Sequence, residues 1–142
     1  MRARVVASAG LAALLATLLA GCIAPNATLK PYDPSDGVST KVGDLVVSNV
    51  LVLSEDGVSG NLLFTAVNTG GDDVDLTVQY ESSGDKTDLS FPVPGGESTD
   101  VGYGDDGQAF LTDIDTKPGG LMAVYFQYGD EQGRQLLSLI HI

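Results

Sequence analysis

The chain is expected to fold as an all-β, immunoglobulin-like β-sandwich of about seven to eight strands, on three observations. From Leu45 onward, apolar runs of four to nine residues are separated by Gly, Asp, Ser and Pro clusters. Within several runs the polarity alternates with a period of two, and none keeps the spacing of an amphipathic helix. Turn signals recur every 8 to 12 residues, the rhythm of a sandwich. The first strand is Leu45–Leu53 (LVVSNVLVL), closed by Glu55-Asp56-Gly57. Asn61–Asn68 follows, ended by the turn Thr69-Gly70-Gly71-Asp72-Asp73. Val74, Leu76, Val78 and Tyr80 then alternate with Asp75, Thr77 and Gln79, as a half-buried strand requires. Leu89, Phe91 and Val93 alternate again, and Pro92, which lacks a ladder N–H, places them at an edge or strand end. Val101 and Tyr103 mark a short piece, Gln108–Ile114 another strand, and Leu121–Tyr128 (LMAVYFQY) an aromatic one. A hairpin-like turn over Gly129–Gly133 leads into a last strand starting near Arg134. With no Trp and no Cys pair, the core must rest on Leu, Val, Phe and Tyr.

The beginning of the chain reads as an address. Met1-Arg2-Ala3-Arg4 is positive, and Val5–Leu19 is apolar but shorter than the roughly 20 residues a bilayer span needs. It ends in Leu19-Ala20-Gly21-Cys22, which resembles the lipobox of bacterial lipoproteins. Small residues before the Cys suit a narrow peptidase site. The thiol is the nucleophile that takes a diacylglyceryl group. Residues 1–21 are therefore expected to be a signal peptide, and Cys22 the lipidation site. The mature protein would be held on the extracytoplasmic face of the cell membrane, because two or more acyl chains anchor stably where one does not. Residues 22–43 are assigned to the lipidated Cys and a flexible tether containing Pro25, Pro31 and Pro34, with the sandwich domain set at 44–142.

Composition narrows the chemistry. Seven basic side chains face 19 acidic ones, a net charge of -12. Losing Arg2 and Arg4 with the leader leaves five, so the mature side-chain charge becomes -14. Nucleic acid is excluded as a partner, since phosphate binding needs a clustered basic surface. One Cys forbids an internal disulfide, and one His forbids a site built from several imidazoles. A Ser nucleophile needs a base within reach, and no Gly-x-Ser-x-Gly elbow is present, so no catalytic residue is assigned. The carboxylate pairs Asp72-Asp73, Asp105-Asp106 and Asp113 with Asp115 fall in turns or along a strand, where Asp suits turn geometry and faces water. Gly104-Asp105-Asp106-Gly107 lacks the spaced pattern of a calcium loop and reads as a solvated turn. The glycine pairs at 70–71, 95–96 and 119–120 precede no helix and are hairpin punctuation, not phosphate cradles. No metal site and no cofactor are expected.

Three segments carry a family resemblance. Leu62–Asp73 (LLFTAVNTGGDD), Phe91–Gly96 (FPVPGG) and Ile114–Gly120 (IDTKPGG) with the strand to Phe126 resemble, in that order, segments of the periplasmic copper chaperone family and of LpqE-like actinobacterial lipoproteins. The likeness runs from about Leu62 to Leu136 and rests on turn and strand signatures, so it implies fold more than function. The family binds copper through His and Met, including a His-x-Met strand that would fall near Gln108-Ala109-Phe110-Leu111, where neither residue occurs. Soft Cu(I) wants thioether or imidazole ligands, and Met122, on an apolar strand, is read as core.

The functional expectation is a non-catalytic cell-envelope binding or assembly module of unknown ligand, with a copper-chaperone-like metal-handling protein as the alternative. Leu137–Ile142 (LSLIHI) breaks the alternation and resembles translated transposon-end sequence. The reading is a foreign or truncated end, with a genuine tail whose apolar residues fill the last strand as the alternative. In either case the run is expected to pair as a strand, because an apolar run beside a free sheet edge does so.

Overall fold

Alternating apolar and polar residues leave a β-strand with one face to bury, and here two layers of such strands bury theirs against each other. The computed structural model describes residues 37–104 and 109–142, all within the unit Asp33–Ile142. Nine strands are found among them, where seven or eight were expected, and no helix: β1 (Val38–Val42), β2 (Leu45–Leu53), β3 (Ser59–Asn68), β4 (Val74–Ser82), β5 (Asp85–Val93), β6 (Ser98–Val101), β7 (Phe110–Thr112), β8 (Leu121–Gln127) and β9 (Arg134–His141). The path of hydrogen-bonded neighbours is β5-β4-β8-β9-β2-β3-β6, with β1 added on β2 and β7 on β3. One layer is β5-β4-β8-β9. The other is β2 and β3 flanked by β1, β6 and β7. Strand β9 joins them, pairing antiparallel with β8 through Leu121↔Leu139 and parallel with β2 through Val52↔Ile140.

The domain begins earlier than the expected boundary at residue 44. Val38–Val42, counted with the tether, is strand β1. A tight turn at Gly43-Asp44 folds it back so that Val42 pairs with Leu45, and Val42 is buried in the core. The signal peptide, the lipobox and residues 22–36 lie outside the described residues. Pro92 lies where its missing donor requires, on β5, which among the described residues pairs with β4 alone and ends the strand path.

Strand β2 holds a local feature that its sequence alone hides. Leu45 and Val47 point inward, and so do Val50 and Val52, a change of phase within one strand. A β-bulge makes this possible: Ser48 faces Thr65 while Leu51 faces Leu63, so β2 carries one extra residue. Asn49 takes the strained position at φ 55°, a conformation Asn tolerates better than Val or Leu, and donates from Nδ2 to Tyr103 Oη at 2.7 Å.

The core lies between the layers. Phe64 of β3 is fully buried and meets Phe91 of β5 and Phe126 of β8, ring centroids 5.4 and 5.6 Å apart, both edge-to-face. Such pairs add to the burial of apolar area itself. Ser138 and Ile140 of β9 are also buried, and the Ser54 N–H donates to the His141 carbonyl at 2.8 Å. Leu137–His141 is thus a paired strand, as an apolar run beside a sheet edge should be. Phe64→Ala should destabilise the domain by about 3–5 kcal/mol. Urea unfolding followed by circular dichroism measures this, and Phe64→Leu, which keeps most of the volume, should lose clearly less.

Candidate functional site

Of the carboxylates singled out in the sequence, that of Asp73 is tied into a loop contact. Asp73 Oδ1 accepts the Gly95 N–H at 2.9 Å, and buried Asn68 donates to the carbonyls of Asp72 and Val93 at 2.8 and 3.2 Å. Asn68 and Asp73 therefore staple the β3–β4 turn to the turn after β5. Asp113 and Asp115 both take positive φ and are exposed, flanking buried Ile114, whose N–H donates to the Val58 carbonyl at 3.0 Å. Asp105, Asp106 and Gln108 lie outside the described residues, as do Leu19, Ala20, Gly21 and Cys22. Met122 is buried in the core on β8, as read. Ala109 and Leu111, in the segment where copper ligands would fall, also point into the core, while Phe110 is exposed. Among the described residues, no group of three or more His, Cys, Asp or Glu side chains could hold a metal ion, and His141 on β9 is in no such group.

Asp56 organises the connection from β2 to β3. Its Oδ1 accepts the N–H groups of Val58 at 2.8 Å and Ser59 at 3.0 Å. The Ser59 and Val58 amides, with the Ser54 hydroxyl, hold its carboxyl below the ordinary aspartate range. This is an Asx-type turn, and its function is structural.

A different surface carries a depression lined by polar side chains. On the outer face of β5-β4-β8-β9 the register lines up Asp88, Gln79, Tyr125 and Gln135 in one row across four strands. The next row places Lys86 opposite Glu81, then Ala123 opposite Leu137. Alternation sends Met122, Val124 and Phe126 inward, which leaves Leu121, Ala123, Tyr125 and Gln127 outside. Ala123 is the small residue among them, and the surface dips over it. The resulting groove is about 500 Å³, bounded by Gln79, Glu81, Lys86, Tyr125 and Gln135. A second depression of about 510 Å³ continues it toward Leu121, Ser83 and Asp115, sharing Glu81 and Ala123 with the first.

The groove is shaped by two local constraints. The Tyr125 ring lies against the backbone of Gly133, where an added Cβ would collide with it, so Gly133 leaves the ring its place. The β4–β5 hairpin turns at Ser83-Gly84 with φ of 50° and 89°, a type I′ geometry that suits the twist of the two strands. Sequence reasoning named none of these residues as a site. The outward position of Gln79 was visible in the alternation of β4, but the pairing that brings Tyr125 and Gln135 beside it was not.

No protein-family model matches the chain, and no curated protein resembles it in sequence. Solved structures share its fold. The copper-bound PCuAC domain from PmoF2 matches with a TM-score of 0.54 at 13% identity, covering 73% of this chain and 97% of that one. The apo PCuAC domain from PmoF2 matches at 0.55 and 13%, covering 73% and 94%. The apo PCuAC domain from PmoF1 matches at 0.56 and 15%, covering 72% and 98%. The fold is that of a PCuAC-like β-sandwich, which supports the distant resemblance to the copper chaperones.

Asp56→Ala should lower the melting temperature at neutral pH. The carboxyl titrates lower in the folded chain than in the unfolded one, where its pKa is about 3.9. Its stabilisation is therefore in place above that value and is lost as pH falls through the folded value. The gap between wild-type and variant melting temperatures should close in strong acid, as read by thermal circular dichroism across that range.

Proposed function

We propose that this chain is a lipid-anchored extracytoplasmic lipoprotein, and that its β-sandwich is a non-catalytic binding or assembly module of the cell envelope. The observation that carries the binding role is the groove over Ala123, lined by side chains from four neighbouring strands. The anchor rests on the positive start, the apolar run and Leu19-Ala20-Gly21-Cys22 at its end. Within that reading the chain is of the LpqE-like lipoprotein kind, as the segments from Leu62 to Leu136 suggest. The membrane is a partner through the lipid, and the other partner is an envelope protein or ligand.

A metal-handling role is the second reading, favoured by the PCuAC neighbours, one of them copper-bound. Against it stand Ala109, Phe110 and Leu111, which offer no imidazole or thioether in the segment where the resemblance implies a His-x-Met.

Two measurements test the pair. Cys22→Ala should release the protein from carbonate-washed membranes or leave it unprocessed, and unchanged retention in processed form would sink the anchor. Titration of the purified full chain with Cu(I) against a competing chelator should show only weak binding. Stoichiometric tight binding would replace the first reading by the second.

A further inference from the structure

The geometry points to a neutral oligosaccharide as the ligand of the outer-face groove. The inference deepens the reading of the domain as a binding module and does not depend on the lipid anchor. Strand β8, which forms the groove floor, is paired on both sides, with β4 and with β9. An extended peptide therefore finds no open ladder to join there, and a ligand must be read by side chains alone. Those side chains mix donors and acceptors. Gln79 and Gln135 each offer an amide, Glu81 offers a carboxylate and Lys86 an ammonium. Gln79 Nε2 is positioned by a 2.8 Å bond to Asp88 Oδ1, which leaves its carbonyl oxygen for a ligand. Gln135 is exposed and makes no side-chain hydrogen bond among the described residues.

Charge decides between ligand classes. The mature chain is strongly acidic, yet within the groove Glu81 faces Lys86 in register, so the two offset each other. An anion would meet the field of the whole acidic domain, and a cation, which can only donate, would leave Lys86 and the Gln135 amide N–H groups without an acceptor. A neutral polyol meets neither penalty. Sugar hydroxyls both donate and accept, which matches the mixed set of groups, and the apolar C–H faces of a pyranose match the Tyr125 ring and the Ala123 floor. The floor is too shallow for a deep apolar anchor. From Leu121 to Tyr125 it runs about 13 Å, four residues of strand, which suits a short oligomer better than a single sugar.

The test is a titration of the full chain, in detergent, with neutral trisaccharides: chitotriose, cellotriose and mannotriose. Binding is followed by calorimetry and by amide chemical shifts. At least one should bind at millimolar concentration or below, with shifts centred on Gln79, Ala123 and Gln135. Ala123→Leu, which fills the floor from the solvent side, should abolish binding. Gln135→Ala, at an exposed position, should weaken it about three- to tenfold. Unchanged far-ultraviolet circular dichroism shows that both variants fold. The proposal is overturned if no trisaccharide binds, or if binding survives Ala123→Leu. It is equally overturned if an envelope protein crosslinks to this face and competes with no sugar, an outcome that would leave the binding-module reading standing.

Discussion

The two layers are held in alignment by one buried contact set, Phe64 between Phe91 and Phe126. A sandwich without Trp or a disulfide has few ways to fix how its sheets lie on each other. Branched aliphatic residues fill volume but slide. Edge-to-face aromatic rings are directional, so they set the offset between β3 and the opposing strands β5 and β8. The row that carries Gln79 and Tyr125 lies wholly within one layer, where strand register sets it, and the aromatic contact fixes that layer over β3.

Much of the fold was legible because a half-buried strand writes its exposure into its sequence. Leu45–Leu53 has the expected bounds, and the alternation of Val74, Leu76, Val78 and Tyr80 marks the buried face of β4 as found. Two features were not legible. Strand β1 was counted as tether, because Val38-Ser39-Thr40-Lys41-Val42 is short and polar at its centre and gains its place from pairing with β2. The bulge at Asn49 was hidden because an apolar run with a Ser-Asn interruption reads as one continuous strand. The groove was less legible still. Its residues come from β4, β5, β8 and β9, and only register brings them together.

The comparison with PCuAC domains separates a scaffold from its chemistry. The fold is shared at only 13–15% identity. A fold can be shared at so low an identity because glycines at turns and alternating core residues answer to backbone geometry and burial. Ligand residues answer to a metal instead. Where the resemblance implies a His-x-Met, this chain has Ala109, Phe110 and Leu111, two of them absorbed into the core.

The parallel pairing of Val52 with Ile140 sets the order in which this domain can form. The two residues are separated by most of the folded chain, and no local hairpin brings them together. Contacts of such long sequence separation raise the relative contact order, and with it the entropic barrier to folding. Until β9 is in place, β8 presents an unpaired edge, whereas β2 already has β3 on one side and β1 along Leu45–Val50 and lacks a partner only at Val52 and Leu53. The β8 edge therefore stays open until β9 pairs with it, so closure of the two layers is expected to be slow, with β9 acting as the latch.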